Sequence, residues 1–406
     1  DQSRLLMSFM KVVAIATIAD AVPLLGENRV FAKLGLQGLR RPVNVGLKAL
    51  LEVAKLGDGR ALTATEVAFR IAPRLNAAGR MDVARDVVDL FNEKDMERAR
   101  KIASRLDQLN AERQEEERRI MDEIECRLEK EPALREAFCV VVDGDGWHRG
   151  VIGITASRVL ERHGRPTLVI SREGGEAHGS GRSIRGFHLL HAIESCPELF
   201  SRYGGHAHAV GFALPSANVE KLRAHLDEYA RARLTVADFE PLLEFERELG
   251  LRDVTPELQQ ALLLLEPFGM ENREPVFAAR AVRLMAPPQA VKDKHVRLRV
   301  AAAVNGDAAV QDFTPRCHPD SVATGHRSVP AGPFDSAQDR LRPAATQPSW
   351  RDNIAFNAMG WSLKESCDRL QLLAGDRLDI AYSVGMNEHP EFGGLELGLR
   401  DVVRAR

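Results

Sequence analysis

Apolar residues recur along this chain in three rhythms, and each rhythm predicts a different kind of element. Residues 1–90 read as mixed helix and turn. Within them an apolar run, Val12-Val13-Ala14-Ile15-Ala16-Thr17-Ile18-Ala19, delivers the carboxylate of Asp20 to its end, just ahead of Pro23, as either a buried strand or a helix. Residues 64–71 look helical until Pro73 breaks the pattern, which predicts a turn over Arg74-Leu75-Asn76-Ala77-Ala78-Gly79-Arg80-Met81. From 93 to 131 there is no glycine or proline. Leu106 and Leu109 lie on a helical stripe there, and Ile120, Ile124 and Leu128 follow at spacing four. The spacing predicts one helix of about 39 residues, roughly 58 Å long. Its stripe is narrow, as in a helix that bridges two domains and rests one face on each. Pro132 ends it.

The rhythm changes at residues 137–215. Phe138-Cys139-Val140-Val141-Val142 predicts a strand that runs into the polar segment 143–150, then a helix over 152–163 and a second strand over 167–171. Strand, helix and strand in that order indicate an α/β domain. Gly179-Ser180-Gly181-Arg182-Ser183 and Tyr203-Gly204-Gly205-His206 read as glycine-flanked polar loops in the same segment. After about residue 240 short alternating pieces such as His295-Val296-Arg297-Leu298-Arg299-Val300 predict a small β-barrel or sandwich. Between 312 and 352 all periodicity stops and Pro, Ser, Asp, Gln and Arg dominate, so 313–351 is expected to be a flexible insertion. Alternation resumes near Ile354 and again at Leu395-Glu396-Leu397-Gly398-Leu399.

Composition adds limits. The chain has 406 residues, enough for two to four domains, and a net charge of -2. No global basic field advertises a nucleic-acid partner, so local patches must carry such a role. The 5 cysteines are odd in number, scattered and without CxxC spacing, which favours a reduced, cytoplasmic protein over a disulfide framework or zinc ribbon. No apolar stretch reaches 18 residues and no basic-then-apolar leader is present, so neither a membrane span nor a signal peptide is expected.

Three polar constellations are candidates for chemistry. Asp20 is either a turn carboxylate or an oxygen ligand for Mg²⁺ or Mn²⁺, which need several such groups. Arg74, Asn76 and Arg80 either grip a phosphate or carboxylate or form a salt-bridged interdomain turn. The third lies at 148–208, which holds His148, His178, His188, His191, His206 and His208 of the chain's 12 histidines. Arg149, Ser180, Arg182, Ser183, Gly204, Gly205 and His206 offer cations, hydroxyls and backbone N–H groups together, as an anion site needs. Glycine-rich turns that merely close an α/β domain are the alternative. Zinc is disfavoured by the ligand spacing.

Read together, residues 15–24, 26–29, 72–80, 146–154, 179–183 and 203–209 resemble the DHH/DHHA1 phosphoesterase superfamily. Within it they are most similar to the bacterial exonucleases that degrade single-stranded DNA from 5′ to 3′, across roughly residues 1–312 and 353–402. The resemblance implies a multidomain α/β protein. It would hold the C-terminal part of a DHH domain (1–92), a connecting helix (93–131), an α/β DHHA1 domain (132–235), and an OB-type barrel (236–402) interrupted by the insertion. It implies metal-dependent hydrolysis of phosphodiester bonds in DNA repair and recombination, with two Mn²⁺ or Mg²⁺ ions. Asp20 would be the fourth metal motif, the other ligands being expected ahead of Asp1, so this chain alone is expected to hydrolyse little. Catalytic roles would fall to Asp20, Arg182 and His206, and substrate phosphate to Arg74, Asn76, Arg80, His148, Arg149, Ser180, Ser183, Gly204 and Gly205.

On the barrel, Lys292, Lys294, Arg297 and Arg299 would supply charge for a single strand, while Phe268 and Phe277 pack. The partners implied are single-stranded DNA, a single-strand-binding protein and a RecQ-type helicase, with the chain a cytoplasmic monomer away from membranes. Two rival readings follow from the same residues. One is a DHH phosphodiesterase for short oligonucleotides or cyclic dinucleotides. The other is a non-catalytic single-strand-binding remnant.

Overall fold

The structure, a computed structural model, describes residues 2–82, 84–302, 354–387 and 393–405. The segment 313–351 expected as an insertion lies outside the described residues. The chain divides into two compact units, one of residues 1–242 and 265–274, the other of 243–264 and 275–406.

The first unit opens with helices α1 (Gln2–Ala19), α2 (Gly26–Leu39), α3 (Val45–Val53) and α4 (Ala64–Glu66), followed by α5 (Ala72–Met81) and α6 (Arg85–Asn92). The run before Asp20 is therefore a helix. The turn expected after Pro73 is helical as well. A π-helical segment, Val67–Ile71, leads straight into α5, and Pro73 sits in the first turn of α5, where its missing N–H costs no hydrogen bond. Thr63 and Glu66 cap this run reciprocally.

Helix α7 (Met96–Lys130) is 35 residues long, roughly 52 Å, and follows the N-cap Asp95, so that Met96 stands three residues inside the expected start. Its narrow face enters two cores in turn. Ala99, Ala103, Leu106 and Leu109 pack with Leu47, Leu50, Ile71 and Leu90 of the helical part. Ile120, Ile124 and Leu128 pack with Val140, Val142, Trp147 and Val159 of the α/β part. Between these apolar runs the buried residues are polar: Asn110, Arg113 and Glu117.

After the short α8 (Pro132–Arg135) comes the α/β part: β1 (Val140–Asp145), α9 (Arg149–His163), β2 (Thr167–Glu173) and β3 (Glu176–Arg182). Then follow α10 (Leu189–Glu194), β4 (Arg202–Gly205), β5 (Ala209–Pro215) and α11 (Val219–Arg231). The sheet order is β1-β2-β3-β5-β4, with β1 and β2 parallel and the rest antiparallel. Both glycine-flanked segments expected to be loops are strands: Gly179 to Arg182 belong to β3, and Tyr203 to Gly205 form the edge strand β4. The glycines of β3 serve packing. A Cβ at Gly179 would lie 2.0 Å from the Phe212 ring, and one at Gly181 would lie 2.8 Å from Val210. That places His178, Ser180 and Arg182 on the opposite face of the sheet.

The second unit holds β6 (Arg247–Glu248), α12 (Pro256–Leu263), β7 (Phe277–Leu284), β8 (Gln289–Val291), β9 (His295–Ala301), β10 (Ala355–Gly360), α13 (Lys364–Leu370), β11 (Arg377–Asn387) and β12 (Gly394–Arg404). β7, β11, β12, β10 and β9 pair in sequence, and β7 pairs back to β9, which closes a five-stranded barrel of the OB kind. Leu284, Leu298, Val300, Leu378 and Leu397 fill it, and Phe277 belongs to this core. Among the described residues no helix is long and apolar enough to cross a membrane.

Candidate functional site

The first unit contains an open cleft of about 580 Å³. Its walls come from the C-terminal end of α5 (Gly79, Arg80), the N-terminal turns of α9 (Arg149, Gly150, Gly153), and the face of β3, β5 and β4 around His178, Ser180, Gly211 and Arg202. The local sequence explains how these parts meet. Trp147, 2% exposed, anchors the turn before α9, donating its indole N–H to Glu123 of α7 at 2.7 Å. His148 then caps α9, its Nδ1 accepting the Gly150 N–H at 3.1 Å, while its own backbone N–H donates to Glu116 at 3.2 Å. Glu116 is held below the usual carboxylate range, its partial burial notwithstanding, by the hydrogen bond from Arg119 and that from His148. A Cβ at Gly150 would lie 2.1 Å from the Arg80 carbonyl oxygen, so only glycine lets α5 and α9 approach this closely. Gly153 lies against the Ser180 hydroxyl and the Arg182 guanidinium, at 3.1 and 3.3 Å from its notional Cβ.

Charge is unevenly balanced here. Arg182 donates to Ser180 Oγ at 3.0 Å and to the Gly181 carbonyl at 2.8 Å, and Arg80 donates weakly to the Gly150 carbonyl at 3.4 Å. Among the described residues neither has a carboxylate within ion-pair distance. Burial, and then Arg113, lowers the Arg80 pKa; burial, and then Arg80, lowers that of Arg182. Two partly desolvated guanidiniums that repel one another beside a serine hydroxyl form a site prepared for an anion. Arg149 differs, because Glu173 already binds it bidentately at 2.6 Å through both contacts.

Of the residues expected from sequence, Arg80, Arg149 and Ser180 line the cleft; Arg182 adjoins it through Ser180, and Gly204 through its pairing with Gly211. Ser183 spends its hydroxyl on the Phe187 carbonyl at 2.7 Å. Gly205 ends β4 and His206 opens the turn into β5, with the His206 N–H on the Ala209 carbonyl at 2.8 Å and its Nδ1 accepting from the His208 N–H. Arg74 points to α7, paired with Asp107 at 2.8 Å, and Asn76 is exposed on α5. Asp20 is exposed at the end of α1 and does not line the cleft. His178, read from sequence only as one of the clustered histidines, is a buried lining residue whose Nε2 lies 3.1 Å from Glu176, and Arg202 and Gly211 line the cleft without having been singled out. The alternation of residues 177–182 carried the signal for His178. Only the strand order brings in the other two.

A model of the DHHA1 domain matches residues 136–232, and one of the RecJ OB domain matches 245–310. The chain is 41% identical over 268 residues to the single-stranded-DNA-specific exonuclease RecJ of Bacillus subtilis (strain 168), a match spanning 66% of this chain and 34% of that protein. It is 32% identical over 408 residues to the protein of that name from Thermus thermophilus, covering 97% of this chain and 58% of the relative. The crystal structure of RecJ in complex with Mn²⁺ from Thermus thermophilus superposes with a TM-score of 0.73 at 25% identity, over 98% of this chain and 50% of that one. The Mg²⁺ complex from the same organism gives 0.71 at 26% identity, over 98% and 53%. The chain is homologous to the bacterial RecJ exonucleases. It spans 34% and 58% of the length of the two curated relatives.

The Thermus thermophilus structures were solved with Mn²⁺ and Mg²⁺, which sets a test for the residues present. Among the described residues no group of three or more His, Cys, Asp or Glu side chains is placed to hold a metal ion. Asp20 supplies one carboxylate, short of the oxygen-rich shell that Mg²⁺ or Mn²⁺ requires. The described residues of this RecJ homologue thus furnish an anion cleft without a metal shell. The barrel carries a second surface of note. Trp361, 64% exposed, stands with its edge against the His295 ring at 4.7 Å, near the exposed Lys292, Lys294, Arg297 and Arg299.

Proposed function

We propose that this chain serves a metal-dependent exonuclease that degrades single-stranded DNA from its 5′ end, in DNA repair and recombination. The observation that carries the reading is the pair Arg80 and Arg182, the first exposed but partly desolvated and the second half-buried beside Ser180, with no carboxylate in ion-pair contact among the described residues. A DNA phosphate is the anion such a fork grips. In domain terms the reading takes 1–92 as the C-terminal part of a DHH domain, 93–131 as the connector, 132–235 as DHHA1 and 236–402 as the OB-type domain. Asp20 is proposed as one ligand of a Mn²⁺ or Mg²⁺ pair whose other ligands lie beyond the described residues. Such ions activate water and stabilise charge on the scissile phosphate.

For the chain's own residues, Arg80, Arg182 and Ser180 hold nonbridging oxygens, His148 fixes the N-terminus of α9, and Gly204, Gly205 and His206 shape the far wall. Arg149, Ser183 and Arg74 are proposed as supports of that arrangement, since most of their polar atoms are already engaged, and Asn76 is proposed to meet phosphate from the exposed face of α5. A reduced, cytoplasmic monomer handing strands on from a RecQ-type helicase and a single-strand-binding protein completes the proposal. A second reading, a non-catalytic binder of single strands, applies to the chain by itself, favoured by the incomplete metal-ligand set among the described residues.

One assay separates these. The chain is expected to retain single-stranded oligonucleotides over duplex in EDTA, more weakly as salt rises, and to release few nucleotides with Mn²⁺. Selective cleavage of cyclic dinucleotides, with long single strands untouched, would sink the exonuclease reading. Trp361→Ala is expected to cost about tenfold in affinity for long single strands, the worth of one base stack. Binding of thymidine 5′-monophosphate should stay unchanged. Equal loss on both ligands would place Trp361 outside any strand path.

A further inference from the structure

Among the described residues nothing requires glycine at Gly211 of the cleft or at Gly204 beside it. Ser180 of β3, Gly211 of β5 and Gly204 of β4 are direct cross-strand partners, so they form one row on one face of the sheet. Neither Gly211 nor Gly204 has a positive φ, and a Cβ built on either would meet nothing within 4 Å. The neighbouring glycines are accounted for. Gly205 has φ +149° and a notional Cβ 2.2 Å from the Ala209 oxygen, and Gly179 yields its space to Phe212. Glycine inside a strand is unfavourable and marks a bulge or the close approach of another group. No bulge interrupts these pairings, which leaves the close approach of another group.

We infer that the row Ser180–Gly211–Gly204 seats the sugar and base that follow the phosphate gripped by Arg80 and Arg182, and that Arg202 takes the next phosphate. The inference rests on the phosphate reading of the cleft and extends it to a dinucleotide unit. Arg182 stands one row beyond the glycines, opposite Ala209, and Arg202 one row before them, opposite Ala213, whose other partner is His178. Rows two residues apart lie roughly 6.8 Å from one another, so the two arginines flank a bare floor wide enough for a nucleoside. Arg202 is exposed and, among the described residues, makes no ion pair. At about 580 Å³ the cleft far exceeds a lone phosphate and falls within the range of nucleotide-sized sites.

The test is binding in EDTA of a fluorescent 5′-phosphorylated oligothymidylate, beside thymidine 5′-monophosphate. Gly211→Val should keep or raise Tm, because valine suits an open strand position, yet weaken the oligonucleotide at least tenfold. Arg202→Ala should weaken the oligonucleotide and reduce its salt slope by about 0.7, the share of one single-strand phosphate, without changing monophosphate binding. Wild-type oligonucleotide binding by Gly211→Val overturns the floor, and equal loss on both ligands in Arg202→Ala overturns the second phosphate site. Should Gly211→Val lose Tm, Gly204→Ala on the exposed edge strand carries the same test. Failure of the underlying reading looks different: Arg80→Ala and Arg182→Ala would then leave both ligands unaffected.

Discussion

Replacing Arg80 or Arg182 with alanine should weaken single-stranded DNA roughly ten- to a hundredfold while Tm holds or rises. The two signs come from one cause. Each guanidinium is partly desolvated, Arg80 disfavours the charge on Arg182, and among the described residues neither has a carboxylate in ion-pair contact, Glu117 acting on Arg80 only from beyond that distance. Deleting one relieves that repulsion, at the cost of weak or solvent-replaceable bonds to Gly150, Gly181 and Ser180. Deleting one also removes a charged hydrogen bond to phosphate, worth about 1.5–3 kcal/mol. The double variant should lose less than the two single losses combined, since both groups reach for one phosphate. Titrations at several salt concentrations read the slope, which should fall by about 0.7 per lost contact. An unchanged slope with a lowered Tm would mark these arginines as structural.

How much of this was legible depended on how far each determinant reaches along the chain. Helix α7 was readable because its determinants are local: no glycine or proline over 93–131, a stripe at helical spacing, and Asp95 and Pro132 near its ends. Pro73 misled because the π-helical segment before it changes the hydrogen-bond register, which residue type alone does not announce. The strand β3 was obscured by Gly179 and Gly181, whose missing side chains are replaced by Phe212 and Val210, some thirty residues on. Residue content alone therefore read as a loop. The clustering of Ser180, Arg182 and Gly204 in one region was visible. Their sharing of a face with Gly211 and Arg202 needed the order β3-β5-β4. Nor could spacing tell that Arg149 is matched by Glu173 while Arg80, among the described residues, stays unmatched.

The buried polar set in the middle of α7 leads to the largest stability effect. Glu117 and Arg113 have side chains only 8% and 10% exposed and pair at 2.8 Å, and Glu117 also pairs with Arg158 of α9. Asn110 accepts from Arg113 at 3.1 and 3.3 Å, so the guanidinium is held from both sides. Glu117→Ala leaves Arg113 buried without its counter-charge and should destabilise the first unit by about 3–5 kcal/mol. Changing both partners to methionine removes the charge together with its need for a partner, and should come within about 1 kcal/mol of the parent or exceed it. A molecule of two units does not unfold as one step, so hydrogen exchange across 106–124 is the appropriate local measure. Glu117 also raises the Arg80 pKa against the lowering by Arg113, so the double variant removes an attraction and a repulsion together. DNA affinity should then survive in the double variant even though Glu117→Ala alone loses it. Loss of affinity in both, with the fold of the double variant intact, would show that the ion pair sets the position of Arg80 and does more than support the helix.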